Sequence, residues 1–377
     1  MPTMQYLTTC IFDRGAIAKL PGVLKKQGVT QPFFVTDPGV KSAGLLQTVL
    51  EASGVENPAV FADTMPNPTE PEVVAAVAAF HDAGADGIVA LGGGSSLDMG
   101  KAIGLFATHD APYAQYGAAE RGTRKIGPVP PLIAVPTTAG TGSEASSGAM
   151  ITLESGLKEI FISHHLMPVT AICDPDFTLG LPVHLTAATG MDAVTHCIES
   201  LLSPFANPPA DGVALDGVER AVRNGWLKRA VAHGDDPEAR YNMMMTSYEG
   251  ALAFVKGLGA VHALSHAAGR LSDLRLHHGT LNAIWLPHVL RFNASACGPQ
   301  YERLRRAMGL AEDADVADAV QALNDAIGIP PNLSAIGLTP DHGQGIVDYA
   351  LKDLAHATNP RPVERADYER LYEVALS

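Results

Sequence analysis

The residues with the clearest chemical potential are acids and histidines at helical spacing. Asp192 and His196 stand four residues apart, His262 and His266 repeat that spacing, and His278 follows in the same stretch of chain. Residues four apart lie on the same face of a helix, so each pair can point at one spot. A carboxylate and several imidazoles that converge can bind a divalent metal. The spacing therefore predicts a metal site.

These residue types do not determine which metal binds. Three nitrogen ligands and one oxygen ligand suit Fe(II), Zn(II) or another first-row cation. The alternative interpretation is that the histidines are structural and find hydrogen-bond partners in a polar cleft. Cys197 follows His196 but points about 100° away on a helix, which places it in the core.

Two loops of small residues predict a nucleotide site. Gly92-Gly93-Gly94-Ser95-Ser96 lies between an apolar run and a helical pattern. Glycines allow the backbone to approach a pyrophosphate, and a helix N-terminus adds partial positive charge. The loop lacks the G-x-G-x-x-G pattern, so a plain strand-to-helix turn is the alternative. The second loop, Pro136–Glu144, suits a ribose or phosphate, although Ser143 also suits a helix N-cap.

Asp37 occupies the end of the first predicted strand. A carboxylate at that place can accept hydrogen bonds from adenosine ribose hydroxyls, and it would repel the 2′-phosphate of NADP. Asp37-Pro38-Gly39 is also a turn sequence, so a purely structural role is the alternative.

The surrounding elements predict two domains. Residues 1–180 alternate strand-like and helix-like segments, which favours a parallel sheet covered on both faces. Residues 181–377 show little strand pattern and are predicted to be helical. The predicted strands are Gln31–Thr36, Val60–Phe61, Asp86–Leu91, Pro131–Val135, Ile160–Ser163 and Thr170–Cys173. The predicted helices are Leu45–Ala52, Pro71–Ala83, Ser96–Phe106, a segment through Met191–Leu201, Pro237–Val255, Ala260–Gly269, Tyr301–Met308, Val316–Ile327 and Tyr368–Leu376.

Composition restricts the partners. A chain of 377 residues is longer than a domain with a single hydrophobic core usually is, so two domains are expected. Its net charge of -14 argues against nucleic acid or an anionic membrane as a binding partner. The four cysteines form no C-x-x-C pair, which suits a reducing compartment. No secretory signal is visible, and no apolar stretch approaches the ~20 residues that a spanning helix needs. We therefore expect a soluble cytoplasmic protein.

Several segments, in their order along the chain, resemble the iron-containing (group III) alcohol dehydrogenase family. The match covers nearly the whole chain. The segments are Pro66–Thr69, Gly92–Lys101, Pro136–Glu144, Asp174-Pro175, Gly190–Ser200, Gly257–His266 and His278–Asn293. The resemblance implies an N-terminal α/β dinucleotide-binding domain and an all-α C-terminal domain, the arrangement of dehydroquinate synthase.

The resemblance also implies the site residues. It assigns metal ligation to Asp192, His196, His262 and His278, and it makes His266 an additional active-site histidine. The positions that would line the NAD site are Asp37, Gly93, Gly94, Ser95, Asp98, Thr137, Thr138 and Lys158. The implied cofactors are NAD and a divalent metal, Fe(II) with Zn(II) as the alternative.

The chain departs from the family pattern near the expected substrate. Ala267 stands where the family usually has proline. The segment from His266 to His278 is longer than in most members of the family and contains Arg270 and Arg275. An arginine there can bind a substrate carboxylate, or both can face solvent. The chain looks most like the 4-hydroxybutyrate dehydrogenase branch.

The expected function is NAD-linked interconversion of a primary alcohol and an aldehyde by a homodimer, with a short hydroxy acid such as 4-hydroxybutyrate as substrate. Three alternatives remain. They are a dehydrogenase for a neutral short alcohol or diol, a maleylacetate reductase-like enzyme, and a non-catalytic metal- or nucleotide-binding protein.

Overall fold

The computed structural model describes residues 8–377, without the side chain of Ser272. Two compact units divide this part of the chain. The first unit contains residues 8–138 and 142–178, and the second contains residues 139–141 and 179–377. The first is α/β and the second is helical, so the predicted fold class is confirmed.

A parallel sheet organises the first unit. Six strands lie in the order β1-β8-β5-β4-β2-β3, and a separate antiparallel pair is formed by β6 and β7. The strands are β1 Thr9–Phe12, β2 Pro32–Val35, β3 Ala59–Phe61, β4 Gly87–Gly92, β5 Leu132–Pro136, β6 Gly148–Thr152, β7 Lys158–Ile162 and β8 Thr170–Cys173. The predicted strand at Ile160–Ser163 therefore belongs to the antiparallel pair, not to the main sheet.

Helices cover both faces of that sheet. They are α1 Leu20–Gln27, α2 Pro38–Ser42, α3 Leu45–Ser53, α4 Glu70–Asp82 and α5 Gly94–Phe106. Phe33 and Ile88 belong to one core cluster, whereas Phe34 and Val89 belong to another. Successive strand residues point to opposite faces, so each central strand is apolar on both sides.

The carboxyl ends of three strands bring the predicted cofactor loops together. Strand β4 pairs with β2 on one side and with β5 on the other, with Gly92 opposite Pro136. Asp37 follows β2, the glycine loop follows β4, and Thr137 follows β5. In open parallel sheets, ligands bind outside the carboxyl ends of the strands.

Helices alone make up the regular structure of the second unit within the described residues. They are α6 Val183–Leu202, α7 Pro208–Val218, α8 Trp226–Ala232, α9 Pro237–Ala253, α10 Ala260–Ala268, α11 His278–Asn293, α12 Gly298–Ala307, α13 Val316–Ala326, α14 Gly343–Ala350 and α15 Arg365–Leu376. Helix α6 is buried along its whole length from Thr186, as expected of a central helix. None of the described helices is both long and apolar enough to cross a membrane.

Helix α11 meets α6 at very close range. A Cβ atom on Gly279 would lie 2.1 Å from the Ala188 carbonyl oxygen of α6, so only glycine fits there. Further along α11, Pro287 has no N–H to donate to the Ala283 carbonyl. The Asn324 amide of α13 donates to that carbonyl instead, at 2.6 Å. Gly279 therefore allows α11 to pack closely on α6, and Pro287 leaves free a carbonyl group that Asn324 of α13 binds.

Candidate active site

Four side chains of the second unit direct ligand atoms at one another. Asp192 and His196 come from α6, His262 from α10, and His278 from the first turn of α11. The Nε2 atoms of His196, His262 and His278 lie 3.8, 3.8 and 3.7 Å from Asp192 Oδ1. These separations are too long for hydrogen bonds. Donors held about 2.1 Å from one tetrahedral ion would stand about 3.4 Å apart, so the group fits a metal.

Burial prepares these histidines to act as ligands. Asp192, His196 and His262 are buried, and their ligand atoms lie within 4.8 Å of one another. Burial lowers the pKa of His196, and it lowers the pKa of His262 further with the help of neighbouring imidazoles. A neutral imidazole keeps the lone pair that a metal needs. The His278 side chain is 36% exposed, so solvent reaches one side of the group.

Glu199 fixes the orientation of His262. It follows His196 by less than one turn of α6, and its carboxylate accepts from His262 Nδ1 at 2.6 Å and from the Val261 N–H at 2.8 Å. With Nδ1–H donated to Glu199, His262 presents Nε2 to Asp192. Burial raises the pKa of Glu199 to about 7, and the backbone N–H donors oppose that rise.

Asn282 lies against the donor atoms. It stands one turn after His278 on α11 and is fully buried. Its Nδ2 lies 2.7 Å from Asp192 Oδ1, 3.1 Å from His278 Nε2 and 3.2 Å from His262 Nε2. The amide therefore touches three of the four candidate ligand side chains. In the sequence, Asn282 stood out only as part of a matched segment, although its spacing of four residues from His278 places it on the same helix face.

His266 lies beside the four side chains. Its ring stacks on His278 with 5.3 Å between centroids and 10° between planes. Its Nδ1 lies 2.9 Å from Asp353 Oδ2. Asp353 is 87 residues from His266 and belongs to no sequence motif, so no local pattern indicated it.

The glycine loop has the geometry of an anion cradle. Gly92 has a φ of 144°, and a Cβ atom there would lie 2.5 Å from Ser96 Oγ. Gly93 is the N-cap of α5 and offers no side chain, so the first N–H groups of this helix remain available to a ligand. The turn needs its glycine, and the phosphate interpretation stands beside that structural role.

Asp37 has a structural role at the same edge. Its Oδ1 accepts from the Val40 N–H at 3.0 Å and caps α2, and its Oδ2 accepts from Ser96 Oγ at 3.0 Å. The carboxylate therefore lies next to the glycine loop, where a ribose role remains a prediction.

Thr137 and Thr138 adjoin the glycine loop from β5. The Thr137 N–H donates to the Gly92 carbonyl at 3.0 Å. Thr138 Oγ1 would lie 3.4 Å from a Cβ atom on Gly93. The two small-residue loops are thus neighbours.

Lys158 and Ser95 are joined through Asn67. Lys158 Nζ donates to Asn67 Oδ1 at 2.7 Å, and the Asn67 N–H donates to Ser95 Oγ at 3.3 Å. Asn67 belongs to the matched segment Pro66–Thr69 and had no predicted role. The contacts bring the predicted Lys158 and Ser95 to one place.

Both carboxylate oxygens of Asp98 accept hydrogen bonds from other residues of the chain. It accepts from Ser143 Oγ at 2.7 Å and from the Met150 N–H at 3.1 Å. Lys101 Nζ is buried and donates to Ser143 and to the Gly148 carbonyl. Burial lowers the pKa of Lys101 to about 8. Asp98 therefore anchors the Pro136–Glu144 loop and β6, whatever it contributes to a cofactor.

The two arginines of the lengthened segment differ. The Arg270 guanidinium carbon lies 3.6 Å from the Tyr349 ring centroid, and Lys352 Nζ lies 5.7 Å from the same ring. Asp353, the partner of His266, directly follows Lys352. Arg275 is exposed and has a φ of 47°. Arg270 is therefore the arginine that shares an aromatic partner with Lys352, the residue next to Asp353, which binds His266.

The chain combines a parallel α/β unit that carries a glycine-rich loop with a helical unit in which imidazoles converge on a carboxylate. The model of "Iron-containing alcohol dehydrogenase" matches residues 8–175, and that of the "Fe-containing alcohol dehydrogenase family, C-terminal" matches residues 186–376. The chain belongs to the iron-containing alcohol dehydrogenase family, whose members are oxidoreductases acting on CH–OH groups.

Similar proteins match over the full length. A 4-hydroxybutyrate dehydrogenase of Cupriavidus necator is 48% identical, with all of both chains covered. A crystal structure of 1,3-propanediol oxidoreductase superposes with a TM-score of 0.93 at 34% identity, again over all of both chains. A sulfoacetaldehyde reductase from Bifidobacterium kashiwanohense, solved with NAD+, has a TM-score of 0.90 at 27% identity, and the match covers 100% of this chain and 99% of that one.

Proposed function

We propose that this chain is a metal-dependent, NAD-linked dehydrogenase that interconverts 4-hydroxybutyrate, or a hydroxy acid of similar length, and its aldehyde. The observation that carries the reaction class is the set of three Nε2 atoms around Asp192 Oδ1. The 48% identity to a 4-hydroxybutyrate dehydrogenase supports the substrate.

Asp192, His196, His262 and His278 are the proposed ligands of one divalent metal, Fe(II) or alternatively Zn(II). When bound, the metal acts as a Lewis acid on the substrate oxygen. Glu199 binds the other ring nitrogen of His262 and so holds Nε2 of that side chain in the required orientation. We assign this role to residues 181–377 and cofactor binding to residues 1–180.

His266 is the proposed proton acceptor. The alcohol loses a hydride from its carbinol carbon to the nicotinamide, and its hydroxyl proton passes to His266 Nε2 and then to solvent. The products are the aldehyde, NADH and a proton. The stacking of His266 on His278 places the imidazole next to the ligand group.

NAD is the proposed cofactor because its features match the carboxyl edge of the sheet. The N-terminus of α5, with Gly93, Gly94 and Ser95, suits the pyrophosphate. Asp37 beside this loop suits the ribose hydroxyls and opposes a 2′-phosphate. Asp98, Thr137, Thr138 and Lys158 complete the proposed set.

Arg270 is the proposed partner of the substrate carboxylate. Its guanidinium is stacked on Tyr349, and among the described residues it forms no ion pair with an acid. A planar guanidinium held on an aromatic ring is ready for two-pronged binding of a carboxylate. A chain of contacts connects Arg270 to His266. Arg270 and Lys352 both lie against Tyr349, and Asp353, which follows Lys352, binds His266.

The test is an assay of metal-reconstituted enzyme with NAD against 4-hydroxybutyrate, butanol and 1,3-propanediol. We expect 4-hydroxybutyrate to have the highest kcat/KM. Arg270→Gln should reduce that preference mainly through KM, and Arg275→Gln is the matched control that should not. Equal kcat/KM for 4-hydroxybutyrate and butanol, unchanged in both variants, would decide for a neutral alcohol. Protein stripped by chelator should be inactive with every substrate.

A further inference from the structure

Asp353 is fastened at both of its carboxylate oxygens. It is the N-cap of the 3-10 turn Leu354–Thr358, where Oδ1 accepts from the Ala355 N–H at 2.8 Å. The other oxygen, Oδ2, lies 2.9 Å from His266 Nδ1. Because the cap fixes the carboxylate, the direction of the bond to His266 is fixed as well. The His266 ring also lies parallel to that of His278, with 10° between the ring planes.

We propose that Asp353 is a positioning residue that sets the ring orientation and tautomer of His266. The inference rests on the proposed role of His266 as proton acceptor. An ionised carboxylate only accepts hydrogen bonds, so Nδ1 carries the proton and Nε2 keeps its lone pair. Nε2 is therefore the atom that receives the hydroxyl proton of the alcohol while the hydride goes to the nicotinamide.

The exposure of the pair argues that the contact does more than satisfy a buried atom. The side chains of His266 and Asp353 are 25% and 20% exposed, so water could serve as a partner for Nδ1. A carboxylate adds what water cannot supply, which is one fixed direction and one tautomer. It also stabilises the imidazolium that forms when Nε2 accepts the proton.

The first test is kinetic. Asp353→Asn should lower kcat by ~10²-fold with little change in KM, because a misoriented base slows the chemical step. Asp353→Glu should recover part of that loss. The matched control is Asp348→Asn on α14, which alters an exposed pair with Arg365 of α15 and should keep wild-type kinetics.

The second test separates positioning from folding and from metal binding. Asp353→Ser retains a hydroxyl that can cap Ala355 N–H but removes the contact with His266, so it should fold normally and still lose activity. All variants should keep wild-type metal content and affinity in chelator competition. In Zn(II)-loaded protein labelled with 15N-histidine, the His266 resonances should change from the Nδ1–H form to a mixture of tautomers in Asp353→Ser.

The third test is additivity. In a His266→Ala background, Asp353→Asn should cause no further loss of kcat, because it acts through His266. An independent loss in that background, unchanged kcat in Asp353→Asn, or loss of metal from Asp353→Ser would overturn the inference. If His266→Ala itself keeps its kcat, the proposed role of His266 fails. If only His266→Ala loses activity, the role of His266 stands and the inference about Asp353 fails.

Discussion

The proposed histidine ligands depend on residues that would not touch the metal. His262 donates Nδ1–H to Glu199, and this bond leaves Nε2 facing Asp192. Glu199 in turn is held by backbone N–H groups at the start of α10. Outer residues of this kind normally determine affinity because they set the ligand orientation before the metal arrives.

Glu199→Gln should weaken metal binding. Gln keeps the size of the side chain but can present an amide N–H to His262 Nδ1, which favours the wrong tautomer. We expect the dissociation constant for Zn(II) to rise about 10- to 100-fold, measured by chelator competition. Glu219→Gln, which changes an exposed pair with Arg223, is the control. An unchanged dissociation constant in Glu199→Gln would contradict this role of Glu199.

Asp37→Ser should separate cofactor choice from helix capping. Ser can still accept from the Val40 N–H, but it removes the negative charge beside the glycine loop. The wild type should prefer NAD, and the ratio of kcat/KM for NAD to that for NADP should fall by roughly 10-fold, since about 1.4 kcal/mol corresponds to that factor.

The control for this change is Asp315→Ser, which alters another N-cap aspartate, at the start of α13. It should affect stability to a similar extent and leave the cofactor ratio unchanged. A wild-type enzyme that already favours NADP would disprove the role proposed for Asp37.

Spacing predicted a metal site and two small-residue loops predicted a nucleotide site, while the family resemblance implied which residues would serve each. Within each unit the structure places the members of its own set near one another. The sequence did not predict the partners that orient them. Glu199 was recognisable only as another polar residue on the face of α6 with Asp192 and His196. Asp353 is 87 residues from His266, and no local pattern connects positions so far apart. Such pairs follow from tertiary packing.

At the scale of elements, helix α11 was the largest gap in the sequence prediction. Gly279, Asn282 and Pro287 interrupt its apolar pattern, yet each has a structural reason that appears only in the folded unit. Strand β1 was also missed, because it has four residues and its pairing partner β8 lies some 160 residues away. The central strands β2, β4 and β5 were predictable, since they are short apolar runs bounded by turn residues.

Gly279→Ala should disrupt the position of His278. The added Cβ would lie 2.1 Å from the Ala188 carbonyl oxygen, a backbone atom that cannot swing away, so α11 must move from α6. We expect loss of metal binding and a lower thermal midpoint, by about 1–3 kcal/mol of stability. Gly212→Ala, at a helical position on α7 with open space around it, is the control and should be neutral or stabilising. Full metal content in Gly279→Ala would show that α11 can shift without moving His278.

At the scale of the whole molecule, each unit has its own buried charges. Glu249 on α9 is an example, because burial and its contact with Asp216 raise the pKa of Glu249 to about 9. The ordinary value is 4.5, so between about pH 4.5 and 9 the folded unit holds a proton that the unfolded chain has released. The contribution of Glu249 to stability therefore falls as pH rises through this range.

Glu249→Gln should remove that dependence, because Gln imitates the protonated acid. We expect the free energy of unfolding, measured with urea, to fall between pH 5.5 and 8.5 more in the wild type than in the variant, by on the order of 4 kcal/mol, since about 1.4 kcal/mol is lost per pH unit. Both tryptophans, Trp226 and Trp285, belong to the helical unit, so their fluorescence reports on the unit that contains Glu249. Glu302→Gln, at an exposed position, should retain the wild-type slope. Parallel pH profiles for wild type and Glu249→Gln would contradict the shifted pKa.

The origin of the proposed ligands on three separate helices has a consequence for the lifetime of the protein. A metal that bridges α6, α10 and α11 joins segments between residues 192 and 278 in the manner of a crosslink. The unfolded chain has no such site, so bound metal slows unfolding of the helical unit. Slower unfolding reduces cleavage of this unit by proteases. We expect scarcity of metal to shorten the half-life of the protein, so that metal supply determines how much enzyme a cell keeps as well as how active it is.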